Sequence, residues 1–344
     1  MSSIVLNLDV EDETQSQSSQ SSQSSNRVQG SKSYSASDYK EYTQREHILN
    51  RPDTYLGLTD RVNKIFRMAD LTAQKFVNGP SDLPEAMEQT YKEVLTNASD
   101  NVPRSIEVGL DPGTIEIIMN ETTVSVKNGG RVIPIEMNEE GDKMIPEMIF
   151  GTLLTSSNYD DSQKRQVAGR NGYGAKITNI YSNSFMIDIG SSDHGKKYTQ
   201  VWADNMNVRG EAIIEDYTGE NYVQVTYTLD FQRFGFDDKY PETAAVIFAA
   251  HAADVAFTCK VPVFFNGIEL KASDLKSYSK WHFPDIERGE IVYHEQFDIN
   301  ITSSDKIPSL ELAFIDTPDK ARVCLLYTSP SPRDRQRSRM PSSA

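Results

Sequence analysis

Three glycines fall within six residues in Gly169-Arg170-Asn171-Gly172-Tyr173-Gly174, and Ala175, Lys176 and an apolar-patterned stretch (Ile177, Ile180, Tyr181) follow at once. Glycine has no Cβ, so a backbone this rich in it can approach a ligand closely and turn several N–H groups toward one anion. A helix starting near Ala175 would aim its N-terminal N–H groups and its dipole at the same anion. Lys176 adds a full positive charge. The run reads either as a phosphate cradle or as a plain surface turn.

Two familiar phosphate loops are excluded. The order GxxxxGK[ST] is absent. A dinucleotide loop would follow a strand directly, whereas the residues before this run, Asn158-Tyr159-Asp160-Asp161-Ser162-Gln163-Lys164, are polar.

Upstream, Leu83, Met87, Tyr91, Val94 and Leu95 recur at helical spacing. On that helix Glu93 and Asn97 are four apart and Asp100 is three further on, so all three share a face with no Lys four residues away. Such a face suits either solvent or a hard cation. An Asn oxygen is a neutral ligand for Mg²⁺, which takes few protein groups beside substrate phosphates, and Glu93 would then accept a proton from an attacking water. Val124 and Val126 alternate as in a strand, and Asn128-Gly129-Gly130 ends it in a tight turn. That turn is an ordinary hairpin or a place where the Asn128 amide meets the edge of a base. Thr155-Ser156-Ser157-Asn158 offers small polar side chains to ribose and phosphate oxygens, or caps a helix.

Several long stretches, in order, resemble the N-terminal ATPase region of eukaryote-type DNA topoisomerase II. They are Glu46 to Gly57 (EHILNRPDTYLG), Glu93 to Asn101, Pro146 to Asp161, and the glycine loop with its continuation Ile177-Thr178-Asn179-Ile180-Tyr181-Ser182; Arg233-Phe234-Gly235 and Asn266-Gly267 match more weakly. The similarity spans roughly residues 39–300.

The resemblance implies an α+β chain with a Bergerat-type ATPase domain, a mixed sheet with helices on one face, followed by the start of an α/β transducer domain. It implies ATP and Mg²⁺ as ligands, a homodimer formed through the ATPase domain, and duplex DNA as the partner of the full-length enzyme. Glu93 falls on the family's general base and Asn97 on its Mg²⁺ ligand and ATP contact. Asn128 falls on the adenine-side residue, and Ser156, Ser157 and Asn158 on nucleoside and phosphate contacts. Gly169, Arg170, Asn171, Gly172, Tyr173, Gly174, Ala175 and Lys176 fall on the phosphate loop. Tyr39 matches a tyrosine of the N-terminal strap, which in the family reaches the partner subunit's nucleotide. Two positions depart from the pattern: Gly129 stands where Asp or Asn is common, and β-branched Val132 where a second glycine is usual.

The expected organisation is a disordered Ser/Gln-rich tail at residues 1–38, an ATPase domain at 39–235, a partial transducer domain at 236–324 and a non-native Ser/Pro/Arg tail at 325–344. Strand-like alternation in Phe185 to Leu229, a helix over Ala244 to Val255, and a strand and tight turn in Lys260 to Ile268 are expected within it. The family's Gln-Thr-Lys loop is absent, as are DNA-cleavage domains, so slow turnover and exposed edges in the second domain are expected.

The net charge of −15 has the wrong sign for a surface that grips DNA by itself, so weak DNA binding by this chain is expected. Cys259 and Cys324 show no metal spacing, and the five histidines and Trp202 and Trp281 read as packing or surface groups. No secretory signal or membrane-length apolar run occurs. The resemblance implies a nuclear location if the protein is cellular, whereas a viral one would be free to work elsewhere. Two alternatives differ in kind from an ATP-driven clamp. One is a dimerisation module that binds ATP without effective hydrolysis; the other is a chaperone or mismatch-repair ATPase of the same fold.

Overall fold

A computed structural model of the chain describes residues 42–153 and 174–283, and the backbone of three further strands. The elements belong to the unit Tyr42–Ala344. In chain order they are α1 (Gln44–Asn50), α2 (Pro52–Tyr55), β1 (Lys64–Asp70), β2 (Lys75–Ser81), α3 (Glu85–Glu107), β3 (Ile115–Met119), β4 (Val124–Asn128), α4 (Ile145–Gly151) and α5 (Gly174–Ile180). There follow β5 (Ser182–Ser191), β6 (Lys196–Ala203), β7 (Val208–Arg209), β8 (Ile213–Asp216), β9 (Tyr222–Leu229), α6 (Ala244–Cys259), β10 (Val263–Phe265), β11 (Ile268–Glu269), α7 (Leu275–His282), β12 (Ile291–Phe297), β13 (Leu310–Ile315) and β14 (Val323–Thr328).

Among the described residues, nine strands form one sheet in the order β11-β10-β3-β4-β9-β5-β6-β7, with β8 paired to β6 beside that path. Every pairing is antiparallel except β10 with β3, which is parallel and makes the sheet mixed. Side chains of a strand alternate between faces, and the sequence uses this. In β9, Val223, Val225, Tyr227 and Leu229 are buried, and the residues between them are half-buried. On the other face Ser125 Oγ and Thr226 Oγ1 lie 2.9 Å apart, and Thr123 and Thr228 hydroxyls 3.1 Å apart, a polar ladder across β4 and β9.

Helices α3, α5 and α6 cover the buried face. Tyr91 of α3 stacks on Phe248 of α6, with ring centroids 4.2 Å apart and planes within 4°. Helix α6 is apolar on nearly every side, as a helix wrapped by neighbours must be. It packs on α3, on β10 and on the β1–β2 hairpin. Pro103 sits inside α3, where it has no N–H to offer the carbonyl of Ser99. The Cys259 thiol at the end of α6 points at that carbonyl from 3.7 Å.

Two expectations read differently in the structure. The Asn128-Gly129-Gly130 turn closes no hairpin: β4 lies between β3, which precedes it, and β9, far along the chain. The expected boundary at residue 235 falls inside the large sheet's own sequence, because β10 and β11 extend that sheet beyond β3 and α6 lies beneath it. The expected strand and tight turn there are β10, β11 and Asn266-Gly267, both residues of which take positive φ. Strands β12, β13 and β14 form a separate antiparallel sheet.

Candidate functional site

Helix α3 is the element on which the site is assembled. It offers its middle to α5 and its C-terminal turns to the end of β4. Glu93 is half-buried and Asn97 exposed, whereas Asp100 is 2% exposed. A uniformly solvated polar face is therefore not what these three residues make.

Glu93 meets the head of α5. A Cβ placed on Gly174 would run into Glu93 Oε2, so the glycine is what lets the start of α5 lie against the carboxylate. The two helices are locked one turn away, where Thr178 Oγ1 donates to the carbonyl of Thr90 at 3.0 Å. The other carboxylate oxygen, Glu93 Oε1, accepts from Gln89 Nε2 at 2.7 Å, one helical turn back. The acceptor-only carboxylate fixes which end of the Gln89 amide faces it.

Lys176 follows Gly174 by two residues and is 1% exposed. Removing its ammonium from water pulls the group down to about 8. It sits deep at the start of α5, whose residues Ala175 to Ile180 are all buried.

Asn128 closes β4 on the same face as Val124 and Val126 and is 7% exposed. The turn after it is tied to α3 by side chains. Asn101 Nδ2 donates to the Gly129 carbonyl at 2.9 Å. Arg131 N donates to Ser105 Oγ at 2.8 Å, and Ser105 Oγ donates to the Asn101 carbonyl at 2.7 Å. Gly130 takes φ +82°, and a Cβ there would strike Ser105 Oγ. The left-handed residue is thus Gly130, and Val132 is half-buried against the core without needing glycine's freedom.

The flanks of segment 154–173 are both anchored. Asn179 Nδ2 donates to the Phe150 carbonyl at 3.1 Å, which joins α5 to α4. Gly151 packs so closely on the Trp202 indole that a Cβ would overlap it. Trp202 is accordingly a packing residue, 1% exposed beside Phe185.

The structure therefore brings Glu93, Gly174 and Lys176 into one region and joins Asn128 to the same helix through Asn101. Tyr39, Ser156, Ser157, Asn158, Gly169, Arg170, Asn171, Gly172 and Tyr173 lie outside the described residues. Sequence reasoning passed over Gln89, Ser105 and Asn179. The spacing of Gln89 four residues before Glu93 was the one legible signal for any of them.

Among the described residues, no three His, Cys, Asp or Glu side chains converge as a metal site. A groove lined by Arg61, Asn63, Ser81, Asp82, Glu242 and Thr243 shares no residue with the region around Glu93. No described helix is long and apolar enough to cross a membrane.

No family model matches the chain. It is 36% identical to DNA topoisomerase 2 of Plasmodium falciparum over 250 residues, which is 72% of this chain and 18% of that protein. The chain thus spans about a fifth of the length of the curated relatives it matches. Among solved structures it is similar to the ATPase region of Saccharomyces cerevisiae topoisomerase II, with 31% identity and a TM-score of 0.72, covering 82% of this chain and 72% of that one. It is similar also to the ATPase and transducer domains of DNA topoisomerase II from Balamuthia mandrillaris, with 31% identity and a TM-score of 0.70, covering 82% of this chain and 70% of that one.

Proposed function

The chain belongs to the DNA topoisomerase 2 family, by the ATPase region, and from that membership we propose that it binds ATP with Mg²⁺ and hydrolyses it to drive a dimer clamp in a type II topoisomerase. The observation that carries the hydrolytic half is the approach of Glu93 to Gly174, which sets a carboxylate against the end of a glycine-rich run.

In this reading Glu93 Oε2 takes a proton from a water. The water oxygen bonds to the γ-phosphorus, the bond from that phosphorus to the bridging oxygen breaks, and ADP leaves with the electron pair. Gly169 to Lys176 supply loop N–H groups and a cation for the phosphates, and the buried Lys176 ammonium is worth more there than in water. Asn128 meets the adenine edge, and Ser156, Ser157 and Asn158 meet ribose and phosphate. Tyr39 belongs to a strap that reaches the partner's nucleotide.

The residues fit Mg²⁺: Asn97 presents a neutral oxygen on the exposed side of α3, one turn after Glu93. When bound, the ion draws negative charge from the phosphate oxygens. Asn97 would hold it by that one side-chain oxygen.

Homodimerisation, passage of duplex DNA by the whole enzyme and a nuclear location follow from the same membership. The 236–283 segment completes the ATPase sheet in this proposal, and β12 to β14 open the next domain. Calorimetry with a non-hydrolysable ATP analogue and Mg²⁺ tests the proposal, beside Asn97→Ala. Micromolar-range binding that the substitution abolishes supports it; a folded chain that binds no analogue refutes it.

A further inference from the structure

Glu93 presents two oxygens to two different surroundings. Oε1 is engaged by Gln89 Nε2 at 2.7 Å, and Oε2 faces the space that Gly174 leaves by lacking a Cβ. An unrestrained glutamate rotates about its last torsion and exchanges those oxygens freely. Here a donor on the preceding turn breaks that equivalence. The structure assigns Gln89 as the positioning residue of Glu93: its amide pins Oε1 and so commits Oε2 to the water. This rests on the hydrolytic reading above and adds to it which oxygen takes the proton and what holds it there.

The neighbouring residues leave this task to Gln89. Lys92, adjacent to Glu93 in sequence, is turned to the other side of α3, where its Nζ pairs with Glu88 Oε1 at 2.6 Å. Thr90, three residues before Glu93 on α3, donates to the Met87 carbonyl at 2.7 Å, while its own carbonyl is taken by Thr178. Among the described residues, Gln89 supplies the side-chain donor seen on Glu93. It is neutral, so it orients the base without supplying an opposite charge, and it lies on the same rigid helix, so it costs little chain entropy to hold in place.

Gln89 would touch neither ATP nor the water. Its removal is therefore expected to lower kcat while leaving analogue affinity alone. The experiment uses the full chain with Gln89→Ala, Gln89→Lys and Gln89→Glu, and measures single-turnover ATP hydrolysis beside analogue affinity in Mg²⁺. Gln89→Ala is expected to slow hydrolysis roughly tenfold, a fraction of the 10²–10⁴ that a general base contributes, with affinity changed less than twofold. Gln89→Lys keeps a donor within reach but adds a positive charge that makes Glu93 a weaker base, and is expected to recover part of the rate. Gln89→Glu removes the donor and faces a carboxylate with a carboxylate, and is expected to be slowest. An unchanged rate in Gln89→Ala, or a rate and affinity that fall together in all three, overturns the inference.

A second measurement does not depend on turnover. The side-chain amide signal of Gln89 in a nitrogen–proton correlation spectrum, assigned by its loss in Gln89→Ala, is expected to shift in Glu93→Ala. A signal that ignores Glu93→Ala overturns the inference even if hydrolysis proves absent. A parent chain that binds the analogue yet never hydrolyses ATP would instead refute the hydrolytic reading, and the amide signal would still decide the positioning.

Discussion

Helix α3 serves two stations that are built in opposite ways. At its C-terminal end, Asn101 and Ser105 lock the turn after β4 with hydrogen bonds to and from backbone groups at 2.7–2.9 Å. At its middle, Glu93 meets α5 through an absence, the missing Cβ of Gly174, with one amide holding one oxygen. In the proposed function the turn after β4 presents a carboxamide to a flat base and needs only to stay still, and saturating its backbone groups achieves that. Glu93, proposed to exchange a proton with water, has to keep an open lone pair for that role, and a hold from one side leaves it open.

The largest effect should come from breaking the open station. Glu93→Gln keeps the shape and removes the base, and single-turnover hydrolysis should fall about 10²–10⁴-fold with analogue affinity unchanged. Loss of affinity as well would mean that the carboxylate helps to bind the nucleotide, and would blur the contrast between the stations.

Gly174→Ala tests the same station from the other side. Its Cβ enters the space of Glu93 Oε2, so Glu93 or α5 must shift. Hydrolysis should fall by about tenfold or more, and thermal unfolding should move down by a few degrees for about 1–3 kcal/mol of overpacking.

The saturated station should respond in stability first. Gly130→Ala meets both a positive φ of 82° and Ser105 Oγ, and should cost about 2–3 kcal/mol by denaturant titration. Asn101→Ala leaves the Gly129 carbonyl without its donor and should cost about 1–2 kcal/mol. Both should weaken the analogue without lowering the rate of what is bound. A pure rate defect would show that the stations are not separable.

A smaller signal comes from Lys176. Burial draws its ammonium down to about 8, and a bound phosphate would restore the proton. At pH 8, analogue binding should take up about half a proton, read as a dependence of the calorimetric enthalpy on buffer ionisation. Zero uptake would remove Lys176 from contact with the phosphates.

The smallest effect concerns how α3 is held to α6. Burial would raise Glu88, but its bond to His251 and the charge of Lys92 outweigh it and hold the carboxyl at about 2, from an ordinary 4.5. Burial pushes His251 below its ordinary 6.5. Both groups bind more protons when unfolded, so both make the fold less stable in acid. The melting temperature should start to fall below pH 6.5, where the unfolded histidine charges, and fall more steeply from pH 4.5 toward 2. Glu88→Gln should flatten the lower limb while lowering the neutral-pH value.

What the sequence disclosed follows the same division. Strand β9, helix α3 and the Asn266-Gly267 turn were legible because period and turn chemistry are local. The roles proposed for Glu93, Asn97, Asn128 and the glycine loop come from the resemblance, and the polar face alone leaves two readings open. The parallel pairing of Val263 with Ile115 was not legible, since nothing local in either strand names a partner so distant. For that reason residue 235 read as a boundary when the sheet continues past it. The burial of Lys176 and the Gln89 contact were hidden for another reason: each depends on where a second helix lies.

That distant pairing also has a consequence in time. At synthesis rates of about 5–20 residues per second, β10 leaves the ribosome on the order of ten seconds after β3. Until then one edge of β3 lies open, and α3 lacks the cover of α6 on the side where Tyr91 will stack on Phe248. The residues proposed for the nucleotide site are all made before this happens, yet the helix that carries Glu93 gains its full support only when the later segment docks. A nascent chain therefore passes through an interval in which the chemistry is written but not mounted, and in which an unpaired strand edge is offered to any neighbour on the polysome.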